Sequence, residues 1–248
     1  VFLFVLASLG LAWVDKDDQW VASRKNWWAF QKPVRVEPPA LNDAWVRTPI
    51  DAFILEGLQA KSLKPSAPLD RQRLVRRLYM DLTGLPPTPE QAARFLNDTS
   101  PQAYENLVDR LMSSTHYGER WAQKWLDVVR YADTNGFEAD GERKNAWRYR
   151  DYVVKAFNSG KPYDVFIKEQ LAGDELYPGN KEALIATGFH RTGPQHVVGG
   201  NQDPEMVRQE VLTEMTATIG SALLGLTVNC ARCHNHKFDP ISQREYYA

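Results

Sequence analysis

The two cysteines of the chain stand three residues apart, in the string Cys230-Ala231-Arg232-Cys233-His234. That order is what covalent haem attachment requires. Each thiol adds across one porphyrin vinyl group to leave a thioether, the two-residue spacer matches the separation of the vinyls, and the imidazole that follows is held under the iron as its proximal ligand. Cys230 and Cys233 are therefore candidate attachment residues for haem c, with His234 as the candidate axial ligand. The sixth ligand would decide the chemistry. His236 is too near His234 in sequence to reach the distal side, which leaves Met215, Met206, His190 and His196. Methionine there raises the potential towards that of an electron carrier, histidine lowers it, and an open position favours a small ligand.

Other chemistries use the same or neighbouring residues. Thiolate and imidazole also satisfy tetrahedral zinc, through Cys230, Cys233, His234 or His236, and Asp239. In an oxidising compartment the cysteine pair could instead close as a disulfide. Asp133, Asn135, Glu138 and Asp140 offer oxygen at alternating positions, as a calcium ion would need. Glu138 stands where an EF-hand loop has its sixth-position glycine and Lys144 where it has its last glutamate, so a loop of Asx turns is the plainer expectation. A hydrolase would draw on Asp133, Glu138, Asp140, His190 and His196, at separations sequence does not give. Arg71, Arg73, Arg76 and Arg77 flank an apolar row and have Asp81 nearby, which predicts a solvated, ion-paired face rather than a phosphate site.

The elements that must position these residues are helical. Ile50, Phe53, Ile54 and Leu58 repeat at helical spacing, as do Leu74, Val75, Leu78 and Leu82 behind the N-cap candidate Asp70. Gly84-Leu85-Pro86-Pro87 stops that helix and Thr88-Pro89-Glu90 opens the next. Further helices are expected over 102–113, 118–131, 147–157, 165–171 and 204–226. No period-2 alternation is sustained and no repeat occurs. The predicted fold class is mainly α, an irregular multi-helix domain over 49–248 that ends in the CxxCH motif, with His190 and His196 in a flexible loop.

Residues 15–48 contain Pro33, Pro38 and Pro39 among Trp20, Trp27, Trp28, Phe30 and Trp45, which predicts an extended aromatic strap packed across the domain. Exposed, the same aromatics would make a carbohydrate-stacking surface. Before them, Val1–Val14 is apolar except for Ser8 and gives way to Asp15, Lys16, Asp17 and Asp18. Such a run is too short for a bilayer span and of the right length for a secretory h-region, with Gly10 and Ala12 as small residues near a cleavage site. Residues 1–14 are thus read as a signal-peptide or anchor remnant, and the protein as exported to the periplasm, cell surface or exterior. Thirty basic against 31 acidic side chains give no surplus of positive charge for nucleic acid. A mean hydropathy of -0.47 argues against several membrane spans.

The strings RTPIDAFIL, LVRRLYMDLTGLPPTPEQ, YENLVDRLMSSTHYGERWAQKWLDVVRYADTNGFEAD, PYDVFIKEQLAGDEL and LGLTVNCARCHNHKFDPISQREYY resemble the planctomycete-type cytochrome c proteins. They match the large domain of unknown function that follows a small cytochrome-like domain there. The resemblance covers about residues 27 to 248. It implies an exported bacterial protein with c-type haem at the CxxCH string, no established reaction, and a following carboxy-terminal domain. It also implies a setting among polysaccharide- and sulfate-ester-degrading systems, so that a redox protein, the following domain or carbohydrate-degrading enzymes are the expected partners. The chain has no earlier CxxCH string and does not extend into the following domain, so by this resemblance it is expected to be part of a longer protein. Asn235 stands where the family usually has aspartate.

Overall fold

The structure, a computed structural model, describes residues 16–136, 140–195 and 203–248. In chain order the helices are α1 (Lys16–Arg24), α2 (Pro49–Ala60), α3 (Arg71–Thr83), α4 (Pro89–Asn97), α5 (Ala103–Met112), α6 (Thr115–Val128), α7 (Ala146–Asn158), α8 (Tyr163–Leu176), α9 (Lys181–Ala186), α10 (Pro204–Ile219) and α11 (Gln243–Tyr246). Short 3-10 turns occupy Trp28–Phe30, Thr187–Arg191 and Val228–Arg232, and a π turn occupies Gly220–Leu224. Among the described residues there is no strand, only an isolated bridge between Thr134 and Glu142. The mainly α fold is as expected.

The amino-terminal segment differs from its expectation. Lys16–Arg24 is helical, because the prolines that enforce extension begin only at Pro33 and nothing before Arg24 breaks a helix. Trp27 and Trp28 are 61% and 75% exposed rather than packed into a strap. Their rings tilt against each other, 6.5 Å apart, and the arginine of α1 lies over Trp20.

Two compact units divide the chain, one of Lys32–His116 and one of Val1–Gln31 with Tyr117–Ala248. In the first, Val75 and Tyr79 of α3, Phe95 of α4 and Ala103, Leu107 and Leu111 of α5 share one core. Its helices start where side chains satisfy the free N–H groups. Thr48 with Asp51 and Thr88 with Gln91 form capping boxes, each followed by proline, and Asp70 caps α3. Gly84, at φ 73, turns the chain out of α3, a conformation that costs glycine nothing. The arginine face is ion-paired as predicted, with Arg73 3.3 Å from Asp70 and Arg77 3.5 Å from Asp81.

In the second unit, α6, α7, α8, α9 and the Thr187–Arg191 turn bury Ala122, Val129, Tyr149, Tyr152, Val153, Phe166, Ala186 and Phe189. The polar groups inside are paired. Tyr149 donates its hydroxyl proton to Gln170 Oε1 at 2.6 Å, and Tyr152 donates to Glu169 Oε2 at 2.7 Å while Lys161 neutralises that carboxylate. Gly173 lets α8 approach α9 so closely that a Cβ would lie 2.3 Å from the Ala183 carbonyl oxygen. Beside it, α8 kinks at Ala172 (φ -152°, ψ 36°), which interrupts the regular helix bonding.

Candidate functional site

The CxxCH string is positioned by the end of α10. Asp203 caps that helix through Glu205 N–H at 3.0 Å, and after Ile219 the backbone widens into the π turn. Gly225, at φ 64, then reverses the chain, and the Val228–Arg232 turn lies back upon Gly220. A Cβ on Gly220 would stand 2.5 Å from Val228 Cγ2, so only glycine admits this approach.

In a 3-10 turn, residues i and i+3 point the same way. Ala231 is fully buried, and Cys230 and Cys233 are both exposed with free thiols. The turn is thus anchored at Ala231, with exposed Cys230 beside it and exposed Cys233 just after the turn. Its carbonyl at Arg232 accepts bonds from Gln243 Nε2 and Tyr247 Oη, each at 3.0 Å, and Asn235 Oδ1 accepts the Gln243 N–H at 2.9 Å. α11 is therefore a bracket for the motif. It begins at a Ser242–Glu245 capping box, a signal present in the sequence that a helix of four residues is too short to support by periodicity. From the other side, Arg24 Nη2 donates to the Lys237 carbonyl at 3.3 Å.

The two histidines of the motif have different surroundings. His234 is exposed, and its Nδ1 lies 2.8 Å from the Asn235 carbonyl. A carbonyl only accepts, so Nδ1 is the donor in this contact. His236 is 4% exposed. Its Nδ1 accepts the N–H of Asp239 at 2.8 Å and of Phe238 at 3.2 Å, so Nε2 is the donor, to Thr227 Oγ1 at 3.0 Å. Both ring nitrogens of His236 are spent on the fold. Among the described residues no three His, Cys, Asp or Glu side chains form a group that could hold a metal ion, so the zinc set Cys230, Cys233, His236 and Asp239 is not assembled. The donor types that haem attachment would use, two exposed thiols and an exposed imidazole, are present.

The sixth-ligand candidates are dispersed. Met206 is 59% exposed near the start of α10, and Met215 is half-buried on the same helix. His190 lies in the 3-10 turn at Thr187–Arg191, not in a flexible loop as expected. Its Nε2 is 3.0 Å from the Leu171 carbonyl at the α8 kink, which commits that nitrogen to donation. His190 and Met215 line one small cavity. His196 lies outside the described residues, as do Glu138 and the run 1–14.

The described oxygen-bearing side chains between Asp133 and Asp140 accept hydrogen bonds from the protein. Asp133 Oδ1 accepts from Tyr131 Oη at 2.5 Å, Asn135 Oδ1 from Arg143 Nε at 2.8 Å, and Asp140 Oδ1 from Gly136 N–H at 2.9 Å. Donors from Thr134 and Gly136 hold the Asp140 carboxyl below its ordinary range. Of the calcium candidates, Asp133, Asn135 and Asp140 each have one side-chain oxygen facing a protein donor.

Residues 49–248 match the family model PSCyt2, described as protein of unknown function (DUF1549). No curated protein and no solved structure matches the chain.

Proposed function

This chain belongs to the PSCyt2 family of proteins of unknown function (DUF1549), and from that premise we propose that it is an exported c-type cytochrome-like module for electron transfer. Cys230 and Cys233 would hold the haem through thioethers and His234 would ligate its iron. The observation that carries this reading is the pairing of two exposed cysteines with free thiols, one in a short turn and one just after it, with an adjacent exposed imidazole whose Nδ1 is engaged by the Asn235 carbonyl. Thioether formation needs reduced, accessible thiols, because each S–H adds across a vinyl C=C and its proton ends on the vinyl carbon. The haem supplies a one-electron iron couple.

Two further observations support the reading over a zinc-stabilised scaffold. His236 is occupied at both nitrogens, and Gln243 and Tyr247 both donate to the Arg232 carbonyl of the turn. Export rests on Val1–Val14, and service to extracellular polysaccharide degradation rests on the family resemblance. No described helix is long and apolar enough to cross a membrane.

The test is an intact mass and a pyridine haemochrome spectrum of protein made in the periplasm of a strain with haem-attachment machinery. A c-type α-band and a mass gain of one haem, both lost in Cys230→Ala/Cys233→Ala, are expected. A colourless protein with two titratable thiols overturns the proposal, and zinc in that protein would move the cluster to a structural role.

A further inference from the structure

A cleft of ≈ 550 Å³ opens where the first turn of α7 meets the Thr187–Arg191 turn. Four cationic side chains line it, Arg143, Lys144, Arg148 and Arg191, against the single carboxylate of Glu142. Among the described residues none of the four stands in a salt bridge. Such an excess of uncompensated charge focuses a positive potential in a concave site.

The arginines are held by neutral groups. Arg143 donates Nε to Asn135 Oδ1 at 2.8 Å, Nη1 to the Arg191 carbonyl at 2.9 Å and the Thr192 carbonyl at 3.1 Å, and Nη2 to the Gly193 carbonyl at 2.6 Å. These bonds satisfy its geometry but leave its charge unbalanced. Burial and then the positive charge of Arg191 push its pKa down, as two guanidinium groups sharing one site require. Arg191 Nη2 donates to Gln195 Oε1 at 3.2 Å and Arg148 Nε to Asn145 Oδ1 at 3.3 Å, so each keeps other donors in hand. α7 adds to this field, since Asn145 makes no side-chain cap and no acid lies in the first turn. The rest of the wall mixes polar side chains, among them Asn135, Thr187 and Gln195, with an apolar stretch. The rings of Tyr131 and Tyr149 stack 6.3 Å apart beside Leu184 and Ile185. The volume falls within the roughly 300–1,000 Å³ usual for small-molecule sites.

We propose that this cleft binds a small organic oxyanion, a carboxylate, sulfate ester or phosphate ester, with its charged group on Arg148, Arg191 and Lys144 and its body on the Tyr131–Tyr149 wall. Arg143 is a positioning residue that fixes the turn carrying Arg191. The site uses none of the haem-attachment residues, so it stands or falls apart from that reading.

Calorimetric titration of the full chain with glucuronate, glucose 6-sulfate and glucose 6-phosphate, with glucose, sulfate and phosphate as controls at constant ionic strength, tests the proposal. At least one charged sugar should bind in the sub-millimolar range, with affinity falling as salt rises. Arg148→Ala/Arg191→Ala should weaken it at least tenfold, and Arg191→Lys, which keeps the charge and loses the fork, by less. Unchanged helical circular dichroism would show the variants folded, and Arg191→Lys alone serves if the double variant does not fold. Absence of binding by all three charged sugars, equal binding of glucose, affinity unaltered by the substitutions, or inorganic ions binding as tightly as the esters would each overturn it.

Discussion

Thr227 and His236 close the CxxCH turn from its two ends, with His236 Nε2 donating to Thr227 Oγ1 at 3.0 Å across the span that contains both cysteines. Since His236 is buried and also accepts two backbone N–H groups, removing it strands several partners. His236→Ala should cost about 1–3 kcal/mol. Cys230→Ala and Cys233→Ala, at exposed positions, should change the stability of the haem-free chain by less than about 0.5 kcal/mol. Thermal unfolding of the three variants is the measurement, and the reverse ranking would mean that the thiols hold the turn.

A second expectation concerns Gly220. A methyl group there meets Val228 Cγ2 at 2.5 Å, and Gly220→Ala should destabilise by about 1–3 kcal/mol through overpacking. Adding Val228→Ala removes the two closest atoms, leaving the Leu226 carbonyl oxygen at 3.2 Å. The double variant should therefore be more stable than Gly220→Ala alone, which denaturant titration would show.

The buried carboxylate of Glu169 makes a third case. It accepts from Tyr152 Oη and pairs with Lys161, whose side chain is itself largely covered. Glu169→Ala leaves a buried cation without its partner and should cost about 3–5 kcal/mol. Glu169→Gln keeps an acceptor for Tyr152 and should cost less, as read from urea midpoints.

Acid should weaken the fold in a defined direction. The N–H groups of Arg47 and Thr48 lower the pKa of Asp51, Lys168 lowers that of Asp164, and Lys155 lowers that of Glu182. A carboxyl with a depressed folded pKa contributes stability above its unfolded value, 3.8 for aspartate and 4.5 for glutamate, and loses it as pH falls through the folded value. These groups are exposed, so each contribution is screened by water. Melting temperature should hold near neutral pH and fall below these values. The difference between wild type and Asp51→Asn should narrow as pH drops, and a constant difference would show that the Asp51 charge is not involved.

Where local rules govern, the elements were legible in the residues. Thr48-Pro49, Asp70, Gly84 and Thr88-Pro89 mark helix ends because capping and left-handed turns depend on near neighbours, and the apolar periods of α3, α5 and α7 show because each spans at least two turns. α9 and the turn carrying His190 went unread, since six residues and five hold too little periodicity. The extended reading of Lys16–Arg24 failed for a related reason, as prolines farther on were allowed to speak for residues they do not constrain.

The order of thiols and imidazole at Cys230, Cys233 and His234 was determined by the sequence alone, because it is a matter of residue type and spacing. Only the tertiary structure decided that His236 is spent on Thr227 and that His190 is spent on Leu171. It also decided that Arg191 comes to the same cleft as Arg143 and Arg148. Hydrogen-bond partners are assigned by which segments pack together. A side chain's residue type states what it can donate or accept, and its neighbours in space determine which of those bonds it makes.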